Sequence, residues 1–587
     1  MANPQRRSDD GRTWLLHSGA VHPLGDDSTA HNAILLHDGR VLASGDRADL
    51  RRAAPPQVRE IDLHGKTVMP GLIDIHPHMM QQAAQMAPLV DLTDAVDHAD
   101  IVARIAERAR ITPPGEWIIT TPVGEPFYFQ RRSYRDLPER MLPDRRVLDG
   151  ATSEHPVLIQ AWAPVTPNIC AFNTAGLRRV GITDFIPDRV CDVWIDKEAG
   201  PGGNGSVTGI LRGSVNQIYN FDPFWTQILS KIPLMTADPA TVTRQAMARY
   251  NAMGVTTVYE PHNMNPAFLD GYRALNAAGL LTTRVAISME VENCARPPFQ
   301  PLSMSEFAQS LERGRQTLDE GDDLLRVCGL TLAASGGPCW PGHMQMPEPY
   351  DDPYGRPTKG TPFISSEKIE AFARFCLDHD VRANFLAAGF TDHDTILDVL
   401  DTPDIAARMP RGPGRSWIVQ HVPVITEPQA RRYQRLGFDV TTCPGFAWAK
   451  GEMYGQRIGP HIWRDAGPLK RLLRAGLTVA CGTDWGPKNP FEQMQLAQTH
   501  TFAVTGRSNA TPDHVVTRRE AVDMWTTSGG QVLNWAGIGT LAPGAAADLI
   551  VLDRSPLTCG IDELPDTEVE LTMLAGTVVH DPGALGD

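Results

Sequence analysis

Residues 67–78 read TVMPGLIDIHPH, an apolar run that is broken by Pro70-Gly71 and closed by two histidines, His76 and His78. Histidines at positions i and i+2 of an extended segment point to the same face. Imidazole is the commonest side-chain metal ligand, so two rings at this spacing can reach one ion. The run therefore predicts a strand with a metal site at its end. The alternative is a packed or solvent-facing histidine pair.

Short apolar runs of the same kind recur along the middle of the chain. They end in Gly, Pro or a polar residue, and several are followed by helix-like stretches such as SEKIEAFARFCLDH (366–379). Strands that alternate with helices indicate a parallel sheet, and eight runs predict an α/β fold, a (β/α)8 TIM barrel. The runs are TVMPGLIDIH (67–76), GVTTVYEPH (254–262), TTRVAISMEVE (282–292), LLRVCGLTLAASGG (324–337), DVRANFLAAG (380–389), SWIVQHVPV (416–424), FDVTTCPG (438–445) and LTVACGTDWG (477–486).

The two ends of the chain differ from the middle, because they read as short strands joined by turns. The HDGR turn at 37–40 separates two apolar runs, as in a β-hairpin. We therefore expect 1–66 and 541–587 to form one small composite β-sandwich domain, with the barrel over 67–540. The stretch of roughly 80–250 is too long for a single crossover and is interpreted as an inserted lid subdomain.

The composition excludes several classes of protein. The 587 residues are 42% hydrophobic and 21% charged, as in a soluble globular protein. Lys+Arg 54 against Asp+Glu 69 gives a net charge of −15, which argues against nucleic-acid and membrane partners. No apolar run approaches the roughly 20 residues of a membrane span, and the start lacks the apolar region of a secretory signal. Nine scattered cysteines without a CxxC pair favour reduced thiols and a cytoplasmic location.

Several motifs resemble those of the amidohydrolase superfamily, in particular its family-3 branch. They are PGLIDIHPH, AGLRRVGIT, GVTTV, WIVQH, GTDWG and the closing LAPGAAADLIVLD, and together they cover most of the chain. The family-3 branch includes N-substituted formamide deformylases and related amide hydrolases. The resemblance implies a metal-dependent hydrolase barrel, a composite β-sandwich from both termini and a large insertion after the first strand.

The family pattern has two histidines on strand 1, a carboxylated lysine on strand 4, histidines on strands 5 and 6, and an aspartate on strand 8. His76 and His78 match the strand-1 pair, His421 in WIVQH matches strand 6, and Asp484 in GTDWG matches strand 8. The resemblance therefore implies these four as metal ligands. Asp484 would also carry the proton to the leaving nitrogen. His421 is either a fourth ligand or the group that orients the water.

Two positions depart from the family pattern. Thr331 stands where the lysine is expected, and Asn384 stands where the strand-5 histidine is expected. No lysine lies between Lys231 and Lys359, so a small shift of the alignment cannot restore it. The remaining residues suit a single ion with three protein ligands and one open position. We therefore expect one divalent ion, Zn²⁺, per subunit.

Other residues near the predicted strand ends are candidates for the site. Glu260 ends the second run and could replace the missing lysine as a ligand, the alternative being an ordinary rim residue in a salt bridge. His262 follows it and is assigned to substrate binding. Glu290 and Glu292, at the end of the third run, have a smaller claim.

Aromatic residues in the loops indicate an apolar pocket. Trp340 and Trp485, together with Asn384, are predicted to contact the substrate. A pocket lined by aromatic rings with few polar anchors suits a hydrophobic or aryl-bearing molecule. The alternative is that these rings form the core of the lid.

The expected activity is hydrolysis of a non-peptide C–N bond, in an amide or formamide, by metal-activated water. A mononuclear deaminase is an alternative, although that group usually keeps the strand-5 histidine. A degenerate barrel that binds a ligand without turnover is a second alternative. The expected partners are a small-molecule substrate and a second copy of the chain in a homodimer.

Overall fold

The structure is a computed structural model that describes most of the chain. The described residues are 13–25, 29–86, 89–124, 131–161, 166–199, 205–217, 220–234, 236–292, 300–318, 321–334, 342–412 and 414–583.

Strands and helices alternate over most of these ranges. The strands are β1 Thr13–Val21, β2 His31–His37, β3 Arg40–Gly45, β4 Arg59–Asp62, β5 Thr67–Pro70, β6 Leu72–Asp74, β7 Ile118–Thr120, β8 Val157–Ile159, β9 Asn168–Phe172, β10 Arg189–Val190, β11 Val193–Lys197, β12 Val207–Gly213, β13 Val255–Glu260, β14 Arg284–Glu290, β15 Leu325–Ala333, β16 Tyr350–Asp351, β17 Pro357–Thr358, β18 Ala383–Ala387, β19 Trp417–His421, β20 Phe438–Thr442, β21 Val479–Cys481, β22 Leu549–Leu552, β23 Val569–Leu574 and β24 Thr577–His580. The α-helices are α1 Arg47–Ala53, α2 Met79–Met86, α3 His98–Ala109, α4 Arg145–Asp149, α5 Thr174–Val180, α6 Pro223–Leu229, α7 Pro239–Ala252, α8 Pro266–Ala277, α9 Met304–Arg315, α10 Ser366–Asp378, α11 Phe390–Leu400, α12 Pro403–Ala406, α13 Glu427–Leu436, α14 Gly445–Arg457, α15 Leu469–Arg474, α16 Pro490–Thr499, α17 Arg518–Asp523 and α18 Thr527–Val532. Short 3-10 helices lie at Tyr134–Asp136, Pro460–Arg464 and Ile561–Asp566.

Eight parallel strands form a barrel in the order β6-β13-β14-β15-β18-β19-β20-β21. The first and last strands meet through a backbone hydrogen bond, in which Ile75 N donates to Cys481 O at 3.5 Å. Side chains from five of the strands meet in the interior of the barrel: Ile73, Tyr259, Ala286, Ile418 and Ala480. The α/β fold class predicted from the alternating pattern is therefore confirmed.

The first predicted strand is divided between two sheets. Residues 67–70 form β5, which pairs with β1 and β22 outside the barrel, and the barrel begins only at Leu72. Gly71 joins the two strands at a point of close approach, because a Cβ there would lie 2.2 Å from Thr256 Oγ1. Strand β5, which begins at the boundary predicted at residue 67, therefore pairs in the terminal sheet.

Strands from both ends of the chain form one eight-stranded sheet, in the order β24-β23-β22-β5-β1-β2-β3, with β4 paired to β1. The apolar side chains of this sheet share one core: Leu16, Val21, Ile34, Leu36, Val41, Val68, Leu549, Val551, Leu571 and Met573. Helix α1 covers a second small core on β1 and β2 through Leu50. The composite sheet is therefore one unit although its strands lie hundreds of residues apart.

The residues between the first two barrel strands in the sequence form a second sheet, in the order β10-β11-β12-β9-β8-β7. One of its two apolar cores includes four residues that follow the last two barrel strands: Trp448 and Ala449 of α14, Trp485 in the loop after β21, and Leu496 of α16. The insertion thus packs against the rim at the carboxyl ends of β20 and β21. Helix α7, which lies within the predicted 80–250 insertion, packs in the helix layer of the barrel through Val242, Ala246 and Met247.

In the described ranges, no helix is both long enough and apolar enough to cross a membrane.

Candidate active site

The two histidines of the first barrel strand lie just beyond its end and are held there by Asp74. The buried carboxylate of Asp74 accepts hydrogen bonds from His76 N at 3.0 Å, Thr483 N at 3.1 Å and Thr483 Oγ1 at 2.7 Å. Burial raises the pKa of Asp74, and these donors oppose that effect. In return, Asp484 N donates to His76 O at 2.7 Å. The loops after the first and last strands are thereby fixed to each other.

Three imidazole rings and one carboxylate converge at this end of the barrel. The Nε2 atom of His76 lies 3.2 Å from Nε2 of His78 and 3.4 Å from Nε2 of His421. Asp484 Oδ1 lies 3.2 Å from Nε2 of His78, and Asp484 Oδ2 lies 3.9 Å from Nε2 of His421. All four side chains are buried.

This geometry fits a divalent metal ion. Nitrogen ligands at about 2.0–2.1 Å from a tetrahedral zinc ion lie about 3.3 Å from one another, which is close to the observed separations. Burial lowers the pKa of His421 to about 3 and lowers the pKa of His76 well below its usual value. Burial alone would raise the pKa of Asp484, but the hydrogen bond with His78 and the charges of His421 and Lys450 lower it. Neutral imidazoles and an ionised carboxylate are the forms that bind metals.

His262 joins the cluster from the loop after β13. Its ring centroid lies 4.7 Å from that of His78, 5.2 Å from that of His76 and 5.5 Å from that of His421. His76, His262 and His421 form one candidate ligand group, and His76, His78 and Asp484 form another. The sequence interpretation gave His262 a substrate-binding role, whereas its position also makes it a candidate ligand.

Glu260 lies outside both candidate ligand groups. Its Oε1 atom accepts hydrogen bonds from Met79 N at 2.9 Å, Met80 N at 3.4 Å and Tyr272 OH at 2.7 Å. The alternation of side chains explains this, because Tyr259 points into the barrel and its neighbour must point outward. Glu260 therefore binds the first turn of α2 through Oε1, and its role as a metal ligand stays a prediction.

Uncharged side chains occupy the two positions that depart from the family pattern. Asn384 Nδ2 donates to Thr331 Oγ1 at 3.0 Å, to Pro261 O at 3.0 Å and to Tyr259 OH at 3.3 Å. The Thr331 hydroxyl also contacts Ser288 Oγ at 2.7 Å and Pro261 O. This network holds Asn384 in the barrel interior and supplies no anionic ligand for a second ion. The substrate contact predicted for Asn384 stays a prediction.

The nearest alternative to a strand-5 histidine is His393, and it is part of the protein core. Its Nδ1 lies 3.1 Å from Tyr433 OH, and its Nε2 lies 3.1 Å from Val424 O. Burial lowers the pKa of His393 to about 4. Both ring nitrogens therefore have partners away from the cluster.

Comparison with known proteins agrees with this fold. The model of the amidohydrolase family matches residues 59–580. The chain belongs to the amidohydrolase family. This confirms the resemblance inferred from the motifs, and with it the prediction of a hydrolase that acts on carbon–nitrogen bonds other than peptide bonds.

Relatives of this amidohydrolase match it over nearly its whole length. It is 24% identical over 596 residues to the N-substituted formamide deformylase of Arthrobacter pascens, covering 97% of this chain and 98% of that protein. It is 22% identical over 593 residues to protein YtcJ of Bacillus subtilis (strain 168), covering 97% of this chain and 99% of that protein. An uncharacterized metal-dependent hydrolase from Pyrococcus furiosus shares its fold, with a TM-score of 0.67, 20% identity, and coverage of 93% of this chain and 100% of that one.

A half-buried lysine of the amidohydrolase connects the two loops that carry the histidine pair and Asp484. Lys488 Nζ donates to Pro77 O and to Thr483 Oγ1, both at 3.2 Å, and to the carbonyl of Asp484. Burial lowers the pKa of Lys488 to about 8, against the charges of Asp74 and Asp484. Sequence reasoning missed this residue. The available signal was its position two residues after GTDWG.

Aromatic rings surround the cluster on the side of the insertion. Trp485 stacks on His78 with ring centroids 5.5 Å apart, and Phe446 meets His421 edge-on at 5.5 Å. Trp448 and Trp485 also belong to the apolar core shared with the insertion. The predicted aromatic environment is therefore present around Trp485. Trp340 lies outside the described residues.

Proposed function

We propose that this amidohydrolase cleaves the C–N bond of an amide or formamide in a small apolar or aryl-bearing substrate, with one Zn²⁺ per chain. The observation that carries the proposal is the convergence of His76, His78, His421 and Asp484, in which four pairs of side-chain N and O atoms lie 3.2–3.9 Å apart. The cluster lies at the carboxyl ends of the barrel strands, where active sites of this fold are built.

His76, His78 and Asp484 would hold the ion, and His421 or His262 would complete the ligand set. When bound, such an ion polarises a carbonyl group and lowers the pKa of water toward about 7. The uncharged network around Thr331 and Asn384 supports a single ion, because a second ion would lack a bridging anion there.

In the proposed reaction, Asp484 handles the proton. Its depressed pKa keeps the carboxylate ionised at neutral pH, so it can accept a proton from the attacking water. It then passes this proton to the leaving nitrogen. His421 stays neutral because burial lowers its pKa, and it orients the water or completes the ligand set.

The aromatic rings support an apolar or aryl-bearing substrate. Trp485 and Phe446 lie against two of the candidate ligands and would contact the part of the substrate next to the scissile bond. Similarity to the N-substituted formamide deformylase makes formamides the first class to test. The cytoplasmic location, the homodimer and the domain boundaries stay predictions.

Metal content tests the proposal directly. Protein stripped with a chelator and refilled with Zn²⁺ should hold about one ion per chain by elemental analysis. His78→Gln should lose this ion, whereas His393→Gln, which changes a buried histidine outside the cluster, should retain it. Two tightly held ions per chain would contradict the single-metal site.

A substrate screen completes the test. N-arylalkyl formamides and acetamides should yield the free amine and the carboxylate. NMR spectra of the reaction mixture would detect both products. Ammonia release from amino-substituted rings would favour a deaminase instead. Metal binding without turnover of any of these compounds would favour a barrel that only binds its ligand.

A further inference from the structure

Two polar residues beyond the proposed metal ligands lie beside His262. Asn263 follows His262 directly, so their Cα atoms lie about 3.8 Å apart. Its backbone is left-handed, with φ of 58°, and its N–H donates to Glu290 Oε2 at 2.7 Å. This bond holds the Glu290 carboxyl next to the loop that carries a candidate metal ligand.

Strand register places Glu290 on the inner face of the barrel mouth. Glu290 ends β14, and its Cα pairs with that of Thr331 in the neighbouring parallel strand. Ser288, two residues earlier, bonds Thr331 inside the barrel, and alternate residues of a strand share a face. The Glu290 side chain therefore continues the inner face toward the opening.

Three polar atoms of this pair are buried without a partner in the described part of the chain. They are Glu290 Oε1, Asn263 Nδ2 and Asn263 Oδ1. Asn263 is only 4% exposed. Burial raises the pKa of Glu290 to about 8, with the hydrogen bond from Asn263 opposing it. Unpaired buried groups are costly, so their presence at a site indicates a ligand that completes them.

We propose that Glu290 and Asn263 form a subsite that binds the N–H group of the substrate amide and of the amine it releases. Asn263 Oδ1 offers an acceptor to the nitrogen, as Glu290 Oε1 does when its carboxyl is ionised, and Asn263 Nδ2 offers a donor to a carbonyl oxygen. The subsite deepens the proposed function, on which it rests, because it selects secondary amides and formamides over tertiary ones.

Glu290→Gln tests this subsite with little change of shape. The side-chain amide of Gln has one oxygen, and the Asn263 N–H would bond to it. The NH₂ group of the Gln would then face the ligand and could not accept from its N–H group. On an N-benzyl formamide, the variant should raise KM about 10- to 100-fold, the range expected for one unsatisfied buried group, with kcat nearly unchanged. The N-methylated formamide, which lacks the N–H, should be processed by parent and variant alike.

Asp392→Asn is the matched control, because it makes the same chemical change at a buried carboxyl whose oxygens already have partners, at Gly389 N and Gln345. It should leave the preference for N–H substrates unchanged. Equal losses on both formamides, or a loss confined to kcat, would overturn the subsite.

Direct binding separates the subsite from the proposed function. Benzylamine should bind the parent in a calorimetric titration and should bind Glu290→Gln at least tenfold more weakly. If no formamide is hydrolysed but this difference holds, the proposed function fails and the subsite stands. If formamides are hydrolysed but Glu290→Gln binds benzylamine as the parent does, the subsite fails.

Discussion

Asp484 contacts the other proposed ligands and Lys488 through both its carboxylate and its backbone. Its carboxylate contacts His78 and His421, its N–H bonds His76 O, and its carbonyl accepts from Lys488. Its φ of 46° places it in the left-handed region, in the loop that leaves β21. The backbone thus fixes the carboxylate before any ion or substrate is bound.

Asp484→Asn should separate the proton-carrying role from the ligand role. Asn keeps a carbonyl oxygen that can reach a metal ion but cannot accept a proton at neutral pH. We expect kcat to fall by at least the ~10²–10⁴ typical of a lost general acid or base, with little change in the fold. Steady-state kinetics with metal content measured in parallel would check this. A variant that holds its metal and has a kcat within a few-fold of the parent value would assign Asp484 a structural role.

Single residues show where sequence reasoning reaches its limit. His76, His78, His421 and Asp484 could be placed because each follows a recognisable strand motif. His262 has no such motif, because it lies two residues beyond the end of β13, so the sequence predicts only a substrate-binding role for it.

Glu260 shows a different limit. As the polar end of a strand it is predicted to be a metal ligand, which stays a prediction, whereas the pleat directs its Oε1 atom toward α2. The orientation of Glu260 depends on which of two adjacent side chains faces the barrel interior. Tyr259 faces the interior, and this is fixed only in the closed barrel.

At the scale of elements, the eight strand-like runs correspond to the eight barrel strands. The alternation of apolar runs and helices was sufficient to locate these strands, because parallel strands buried on both faces are nearly all apolar. The first run was the exception, since TVMP belongs to the terminal sheet. No local signal separates TVMP from the barrel strand that follows it, because the break between them lies at Gly71, which is in close contact with Thr256.

The insertion meets the barrel rim at Arg131. Arg131 pairs with Glu492 of α16 and lies 4.9 Å from the ring centroid of Trp448 in α14. Both helices follow barrel strands whose ends line the cluster. We propose that the insertion acts as a lid and that this contact helps to keep it seated.

Arg131→Met should loosen the lid without unfolding the barrel. The pair is half-exposed, so its loss should lower kcat/KM by about fivefold at most, in line with the 0.2–1 kcal/mol of exposed pairs. Hydrogen exchange should become faster in α14 and α16 but not in the barrel strands. Arg146→Met removes a pair with Glu198 within the insertion and serves as the control. Equal effects of the two variants would contradict a latch at the rim.

Over the whole molecule, the terminal sheet and the barrel share a buried ion pair. Arg284 begins β14 and binds Asp548, the residue before β22, through Nε at 2.6 Å and Nη2 at 3.0 Å. Asp548 also accepts from Ala575 N at 2.7 Å, and its carbonyl accepts from Gly71 N at 2.9 Å. One aspartate therefore connects the barrel, the C-terminal hairpin and the link between β5 and β6.

Asp548→Asn should destabilise the whole protein, because it keeps the shape of the side chain but leaves the buried Arg284 without its counter-ion. Removing one partner of a buried pair costs about 3–5 kcal/mol, so the denaturant midpoint should fall markedly. Glu370→Gln, which breaks an exposed pair with Arg374, should change the free energy of unfolding by less than about 1 kcal/mol. The double variant Arg284→Met/Asp548→Leu should be more stable than Asp548→Asn, since it leaves no unpaired charge. If Asp548→Asn is no less stable than Glu370→Gln, the terminal sheet does not depend on this pair for its attachment to the barrel.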